Sequence, residues 1–197
     1  MNRLLDGDEE VVDAAKQFHF LEQTLLKSRT MTLFGEINED VARRTAEKLL
    51  ALSFESDEPI TIYIGSPGGH VESGDTIYDM IQCIKPVVRM VGTGWVGSIA
   101  THIYLAPEKE HRFCLPNTRF LIHQPAGGFG GTASDVEIHA REILNTRERI
   151  NAIIAERTGQ PLERVLKDTD RDYWMSPEES VEYGIVGRIL TDLSEIG

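Results

Sequence analysis

Strand-like runs of β-branched and apolar residues alternate with helical patterns along most of this chain, and that alternation limits the possible folds more than any other feature. Thr30 to Phe34 alternates like a strand, and Gly35 ends it. Asn38 is placed to cap a helix carrying Val41, Ala46, Leu49, Leu50 and Leu52. Pro59 to Ile64 is a β-branched strand, followed by the turn Ser66-Pro67-Gly68-Gly69 and a helix with Ile77, Met80, Ile81 and Ile84 at helical spacing. A short strand, Val87 to Val91, precedes a turn at Ser98 and a helix from Ile99 to Leu105. Arg112 to Leu115 and Arg119 to His123 read as strands separated by Pro116-Asn117. After a Gly-rich stretch over 126–133, a long helix opens at Ser134-Asp135-Val136-Glu137, with the spacing of a capping box, and stops before Gly159. Ser176-Pro177-Glu178-Glu179 starts a last helix, Gly184 closes it, and Gly187 to Leu190 is a final strand. Strands and helices in this order predict an α/β fold with largely parallel pairing.

Composition narrows the function classes. The 197 residues carry 20 Lys+Arg against 32 Asp+Glu, a formal net charge of −12. Such a surface repels nucleic acid and anionic membranes, and no basic run offsets it. No stretch has the uninterrupted apolar length of a transmembrane helix. The first ten residues turn acidic at once, with no apolar segment long enough for a signal peptide, so a mobile terminus and a cytoplasmic location are expected. Residues 11–28 have the spacing of a further helix. Cys83 and Cys114 fall in apolar patterns and read as buried thiols.

Three segments bear chemistry. Ser98 stands in Gly94-Trp95-Val96-Gly97-Ser98-Ile99-Ala100, a lone hydroxyl at a strand-to-helix junction near the amides of a helix start. That position suits a nucleophile, and it equally suits a helix cap. His123 ends the apolar strand Arg119-Phe120-Leu121-Ile122, as a base would or as a hydrogen-bonded core histidine would. Asp168-Thr169-Asp170-Arg171-Asp172 places alternating charges before Tyr173-Trp174, which alone describes a solvated loop or helix end. Ser66-Pro67-Gly68-Gly69 leaves backbone N–H groups free at a helix start. No Gly-Lys-Ser/Thr follows, so an oxyanion hole fits this loop better than a nucleotide phosphate.

Taken together these runs resemble the ClpP family, the serine peptidase subunit of the Clp protease. The resemblance spans residues 20–190 and rests on ordered motifs: Ile60-Thr61-Ile62-Tyr63-Ile64-x-Ser66-Pro67-Gly68-Gly69, Ile77-Tyr78-Asp79, Ile84-Lys85-Pro86, Arg112-Phe113-Cys114-Leu115-Pro116-Asn117 and Ile122-His123-Gln124-Pro125. Ile138-His139-Ala140-Arg141-Glu142-Ile143-Leu144, Asp168 to Asp172 and Val181-Glu182-Tyr183-Gly184 continue the set. It implies a ClpP/crotonase-like spiral of ββα units, with a protruding handle at 124–158 made of the Gly-rich strand and the long helix. The implied organisation is a divergent segment 1–18 followed by one peptidase domain over 19–197.

By position, the resemblance puts Ser98 on the family's nucleophile, His123 on its general base and Asp172 on the acid that orients the histidine. The amides of Gly69 and Ile99 match the oxyanion hole, and Asp170 with Arg171 matches an ion pair coupling ring contact to triad alignment. Stacked heptameric rings enclosing the active sites, a partner AAA+ unfoldase ATPase and unfolded protein substrates are further implications. ATP would be hydrolysed by the partner, so neither a cofactor nor a metal is expected on this chain.

The chain departs from the family in two places. The nucleophile region usually reads Gly-Gln-Ala-Ala-Ser-Met-Gly-Ala, whereas Trp95, Gly97, Thr101 and His102 change the surroundings here and Ile99 still offers its amide. Gly65 replaces the usual Asn before Ser-Pro-Gly-Gly, and residues 1–18 lack the family's pore-lining segment. Tyr63 and Leu115 fall near the family's hydrophobic docking clefts and are equally readable as core. These departures keep open an alternative, a catalytically weak or silent subunit that assembles with a paralogue. An acyl-CoA enzyme of the crotonase superfamily would share the spiral fold, but such enzymes use carboxylates and need no Ser–His–Asp set.

Overall fold

The computed structural model describes residues 20–128 and 130–196. The segment 1–18, read above as divergent, lies outside them. Of the helix expected over 11–28, residues 20–27 are described and are helical (α1).

The body is a seven-stranded sheet. β1 (Thr30–Phe34), β2 (Ile60–Ser66), β3 (Val88–Gly97), β4 (Arg112–Cys114) and β7 (Arg188–Ile189) lie side by side in that order, all parallel. Between β1 and β4 the order in space is the order in sequence. The crossovers set α2 (Glu39–Glu55), α3 (Val71–Cys83) and α4 (Ile99–Tyr104) in succession, α2 against α3 and α3 against α4, which is a spiral. Burial follows the pleat: Ile60, Ile62 and Ile64 are fully buried, while Thr61 and Tyr63 between them are half-buried. Val91, Phe113 and Leu190 form a smaller cluster, against which Tyr63 and Leu115 pack.

β3 makes the functional site possible because it forks. Its first half pairs with β4 through Met90, Val91 and Gly92, and its second half pairs with β5 (Arg119–Ile122) through Trp95, Val96 and Gly97. Between the halves the register to β2 slips: Ile64 faces Gly92, but Ser66 faces Val96. Two extra residues therefore bulge out of β3, and Gly94, at φ +62°, takes the left-handed turn that a side chain would resist. β6 (Tyr173–Met175) runs antiparallel to β5, the exception to the parallel pairing expected from sequence.

α5 (Ala133–Thr158) is the long helix. Thr132 caps it, accepting from the Asp135 amide while the Asp135 carboxylate accepts from the Thr132 amide. The cap thus sits two residues before the expected Ser134, and Gly159 ends the helix in the left-handed conformation as anticipated. Residues 133–142 of α5 are all exposed, whereas Ile143, Thr146, Arg147 and then Ile150 are covered, so about 15 Å of helix extends from the body at 1.5 Å per residue. Thr158 packs beneath Gly184, whose imagined Cβ would meet the Thr158 carbonyl at 2.2 Å. α6 (Leu162–Asp168) and α7 (Pro177–Tyr183) complete the fold. Cys114 is buried, but Cys83 is exposed, because it lies on the solvent face of the last turn of α3, whose Ile81 faces the core. The buried reading of Cys83 is therefore corrected.

Candidate active site

Three strand ends bring the polar residues together. Gly97 and Leu121 are partners in the β3–β5 pair, so Ser98, just past the end of β3, comes level with Ile122 at the end of β5. Ile122 and Tyr173 are partners in the antiparallel β5–β6 pair, so His123 and Asp172 come next to each other at the same edge. His123 Nε2 lies 2.7 Å from Ser98 Oγ, and His123 Nδ1 lies 3.0 Å from Asp172 Oδ1. An ionised carboxylate only accepts, so Nδ1 donates to Asp172 and Nε2 is left to accept the Ser98 hydroxyl proton. The ring and the serine are half-buried, while the Asp172 side chain is 63% exposed.

Ser98 holds a strained backbone, φ 57° and ψ −129°. It occupies the N-cap position of α4, yet its hydroxyl makes no capping bond and points to His123 instead. Strain of this kind persists only where the surroundings enforce it. The Ser98 amide donates to the Leu121 carbonyl at 2.9 Å, and Thr101 Oγ1 lies 2.9 Å from both the Val96 and Leu121 carbonyls. Gly68 presses from the other side: a Cβ there would be 2.7 Å from Ser98 Cβ and 2.8 Å from the Gly97 carbonyl. Ser66 Oγ accepts from the Gly68 amide at 3.1 Å and holds the turn.

Both expected amides are free of partners within their own elements. Ile99 opens α4, where an N–H has no intrahelical partner. Gly69 forms a parallel bridge with Ile37, in which the Ile37 amide donates to Gly68 and the His70 amide donates to Ile37. In such a bridge the intervening Gly69 N–H points away from Ile37. A Cβ on Gly69 would sit 2.2 Å from the Ile37 carbonyl, so only glycine permits the approach.

Asp170 and Arg171 stand beside this group. The Gln124 amide donates to the Thr169 carbonyl at 2.6 Å and Gln124 Nε2 to the Asp170 carbonyl at 2.7 Å, binding the strand after β5 to the acidic loop. Asp170 lies 3.6 Å from Arg147 of α5, whereas Arg171 is 86% exposed and only 3.9 Å from the Asp170 carboxylate.

Of a second polar group under the site, sequence reasoning singled out His102 alone. Arg149 of α5 makes a bidentate pair with Asp75 of α3 at 2.9 and 2.7 Å, and Asp75 lies 3.3 Å from His102 Nε2 on α4. Burial by itself raises the Asp75 carboxyl, but the His102 and Arg149 partners outweigh it and hold the group down to about 2. No local motif marks this group, since its members lie on three helices far apart in sequence.

The family profile described as Clp protease matches residues 13–192. The chain belongs to the Clp protease family. Consistent with this family, a Rhizobium etli protein named ATP-dependent Clp protease proteolytic subunit 3 is 55% identical over 193 residues, covering 96% of this chain and all of that one. A Gluconobacter oxydans protein named proteolytic subunit 2 is 53% identical over 178 residues, covering 89% and 80% of the two chains. The solved structure of ClpP1 from Listeria monocytogenes superposes with a TM-score of 0.82 at 52% identity, covering 90% of this chain and 99% of that one. The fold is thus that of ClpP, handle included, and the class of activity is that of a Clp-type serine peptidase.

Proposed function

We propose that this Clp-family chain cleaves peptide bonds through Ser98, His123 and Asp172. The observation that carries the reading is the continuous hydrogen-bonded line from Ser98 Oγ through both nitrogens of His123 to Asp172. His123 Nε2 takes the serine proton as Oγ attacks the scissile carbonyl carbon. Asp172 keeps the proton on Nδ1 and stabilises the imidazolium that forms. The carbonyl oxygen becomes an oxyanion and receives the amides of Gly69 and Ile99. His123 then gives its proton to the leaving amine as the C–N bond breaks. Water, activated by the same base, hydrolyses the acyl-enzyme.

The substrate lies extended. A cleft of about 600 Å³ runs beside the triad between Gly69-His70-Val71 and Pro125-Ala126-Gly127. Two backbone segments of this kind suit main-chain pairing with an unfolded polypeptide. The chain works within stacked heptameric rings fed by an AAA+ unfoldase, through the handle that α5 extends from the body. Relatives numbered subunit 2 and subunit 3 support a particle in which a paralogue joins this chain. The location is cytoplasmic, and the described residues contain no helix long and apolar enough to cross a membrane.

Hydrolysis of fluorogenic peptides by the purified chain, beside Ser98→Ala and His123→Ala, tests this reading. Turnover lost in both variants supports it. Turnover that survives Ser98→Ala assigns the activity to another group. Turnover that appears only on mixing with a paralogue, and is indifferent to Ser98→Ala, assigns the chain the role of a silent subunit.

A further inference from the structure

Beside Ser98 and His123 lies a small, partly open hollow of about 20 Å³, walled by Val71 of α3, Ile99 and His102 of α4, Ile122 of β5, Pro125 just after it, and Ile150 and Ile154 of α5. A substrate whose carbonyl oxygen points at the amides of Gly69 and Ile99 turns the side chain preceding that carbonyl, P1, into this hollow. The placement rests on the peptidase reading above. A cavity needs roughly 10–15 Å³ to admit one water, so the hollow takes a group of about methyl size. A leucine or phenylalanine side chain enters only if a wall retreats.

The walls are not free to retreat. Five of the seven are β-branched residues, which have few rotamers to move into, and Pro125 follows Gln124, whose amide and Nε2 are fastened to the Thr169 and Asp170 carbonyls. The remaining wall, His102, has a side chain 1% exposed that stacks on Tyr78 of α3 with ring centroids 4.4 Å apart. Widening the hollow on its helical side would require α3, α4 and α5 to separate. Those three helices are tied together: Arg149 of α5 grips Asp75 of α3 through two hydrogen bonds, and His102 of α4 stacks on Tyr78 of α3 with its Nε2 3.3 Å from Asp75. The α3–α4 contact has no slack either, because a Cβ on Gly74 would lie 2.1 Å from Ile99 Cγ1.

We propose that the Arg149–Asp75–His102 bridge holds the P1 pocket narrow, and that it thereby restricts cleavage to bonds following alanine-sized side chains. Asp75 and Arg149 touch no substrate atom and act as positioning residues, whereas His102 is the stop against which P1 packs. The bridge sets selectivity among substrates and leaves the chemistry at Ser98 unchanged.

The test is a panel of peptides identical except for Ala, Leu or Phe at P1, with kcat/KM measured on the purified full chain and on Asp75→Ala. Wild type is expected to favour Ala over Leu by about tenfold or more, the scale on which pockets discriminate side chains of different size. Asp75→Ala is expected to move the Leu/Ala ratio up by about the same factor. Equal or faster cleavage after Leu or Phe by wild type overturns the proposal, and this holds whether or not the variant folds. A uniform fall for all three peptides in Asp75→Ala, with the ratio unchanged, also overturns it, since that is what a purely structural role would give. Absence of all turnover, together with failure of Ser98 to react with a fluorophosphonate, overturns the peptidase reading and the pocket with it.

Discussion

His123 and Asp172 meet across the antiparallel pair of an otherwise parallel sheet, one residue beyond the Ile122–Tyr173 partners. The 3.0 Å contact between Nδ1 and Oδ1 is therefore set by strand register. Ser98 is placed by the same logic through the parallel β3–β5 pair. The triad geometry is a property of the sheet edge, with the strained Ser98 turn adding the final direction of the hydroxyl.

Asp172→Asn tests the orienting role. The amide still reaches Nδ1, but it can present its N–H there and favour the wrong tautomer. Turnover is expected to fall by roughly 10⁴-fold, the scale of the equivalent change in a well-studied Ser-His-Asp peptidase, with thermal unfolding unchanged. A loss of less than about tenfold would mean that the exposed Asp172 does not orient the base.

Two glycine variants separate backbone strain from site geometry. Gly35 has φ +80° and open space around it, so Gly35→Ala is expected to cost about 1–2 kcal/mol of stability. Reaction of Ser98 with a fluorophosphonate should be unaffected there. Gly68 has φ +101° and Ser98 Cβ 2.7 Å from the position of a new Cβ. Gly68→Ala is expected to abolish that reaction even where circular dichroism reports a folded chain. Equal labelling in both variants would remove Gly68 from the account.

The two thiols should differ sharply. Burial, with a contribution from Glu178, pushes Cys114 up to about 12, while Cys83 is exposed at the end of α3. Iodoacetamide under native conditions is expected to add one group per chain, at Cys83, by peptide mapping. Modification of Cys114 at a comparable rate would contradict the burial of β4.

Arg171 points into solvent from a single protomer, and among the described residues its ion-pair contact is the long one to its neighbour Asp170. Arg171→Ala is expected to shift sedimentation toward smaller species and to lower turnover together with it. A double ring of unchanged size with full turnover would show that this side chain does not couple assembly to activity.

Much of the architecture could be read from the chain, and the exceptions have physical causes. Asn38, Ser176 and Gly184 act at the helix ends where their types predict, since capping is a local interaction. β3 reads as ending at Val91 because Gly92, Gly94 and Gly97 look like loop, yet these glycines continue the strand through its bulge. A side chain at Gly92 would press on Phe120 and Thr118 of the neighbouring segments, which explains the glycine better than a turn does. Thr132 outcompetes Ser134 as a cap because the short Asp135 carboxylate can reach back to the Thr132 amide at 2.9 Å. β6 is hidden by the charges before it, and its existence depends on pairing with β5. At the site, Ser98, His123 and Asp172 were marked by motifs, but the Arg149–Asp75–His102 bridge was not. Its members meet only through tertiary packing, and nothing in their local spacing announces it.

The most direct measurement is intact-mass analysis after exposure to a fluorophosphonate, on wild type and on Ser98→Ala. The account predicts one adduct per reactive chain in wild type and none in the variant, because only a hydroxyl activated by His123 reacts at speed. An unlabelled wild type, or an adduct that persists in Ser98→Ala, would contradict it.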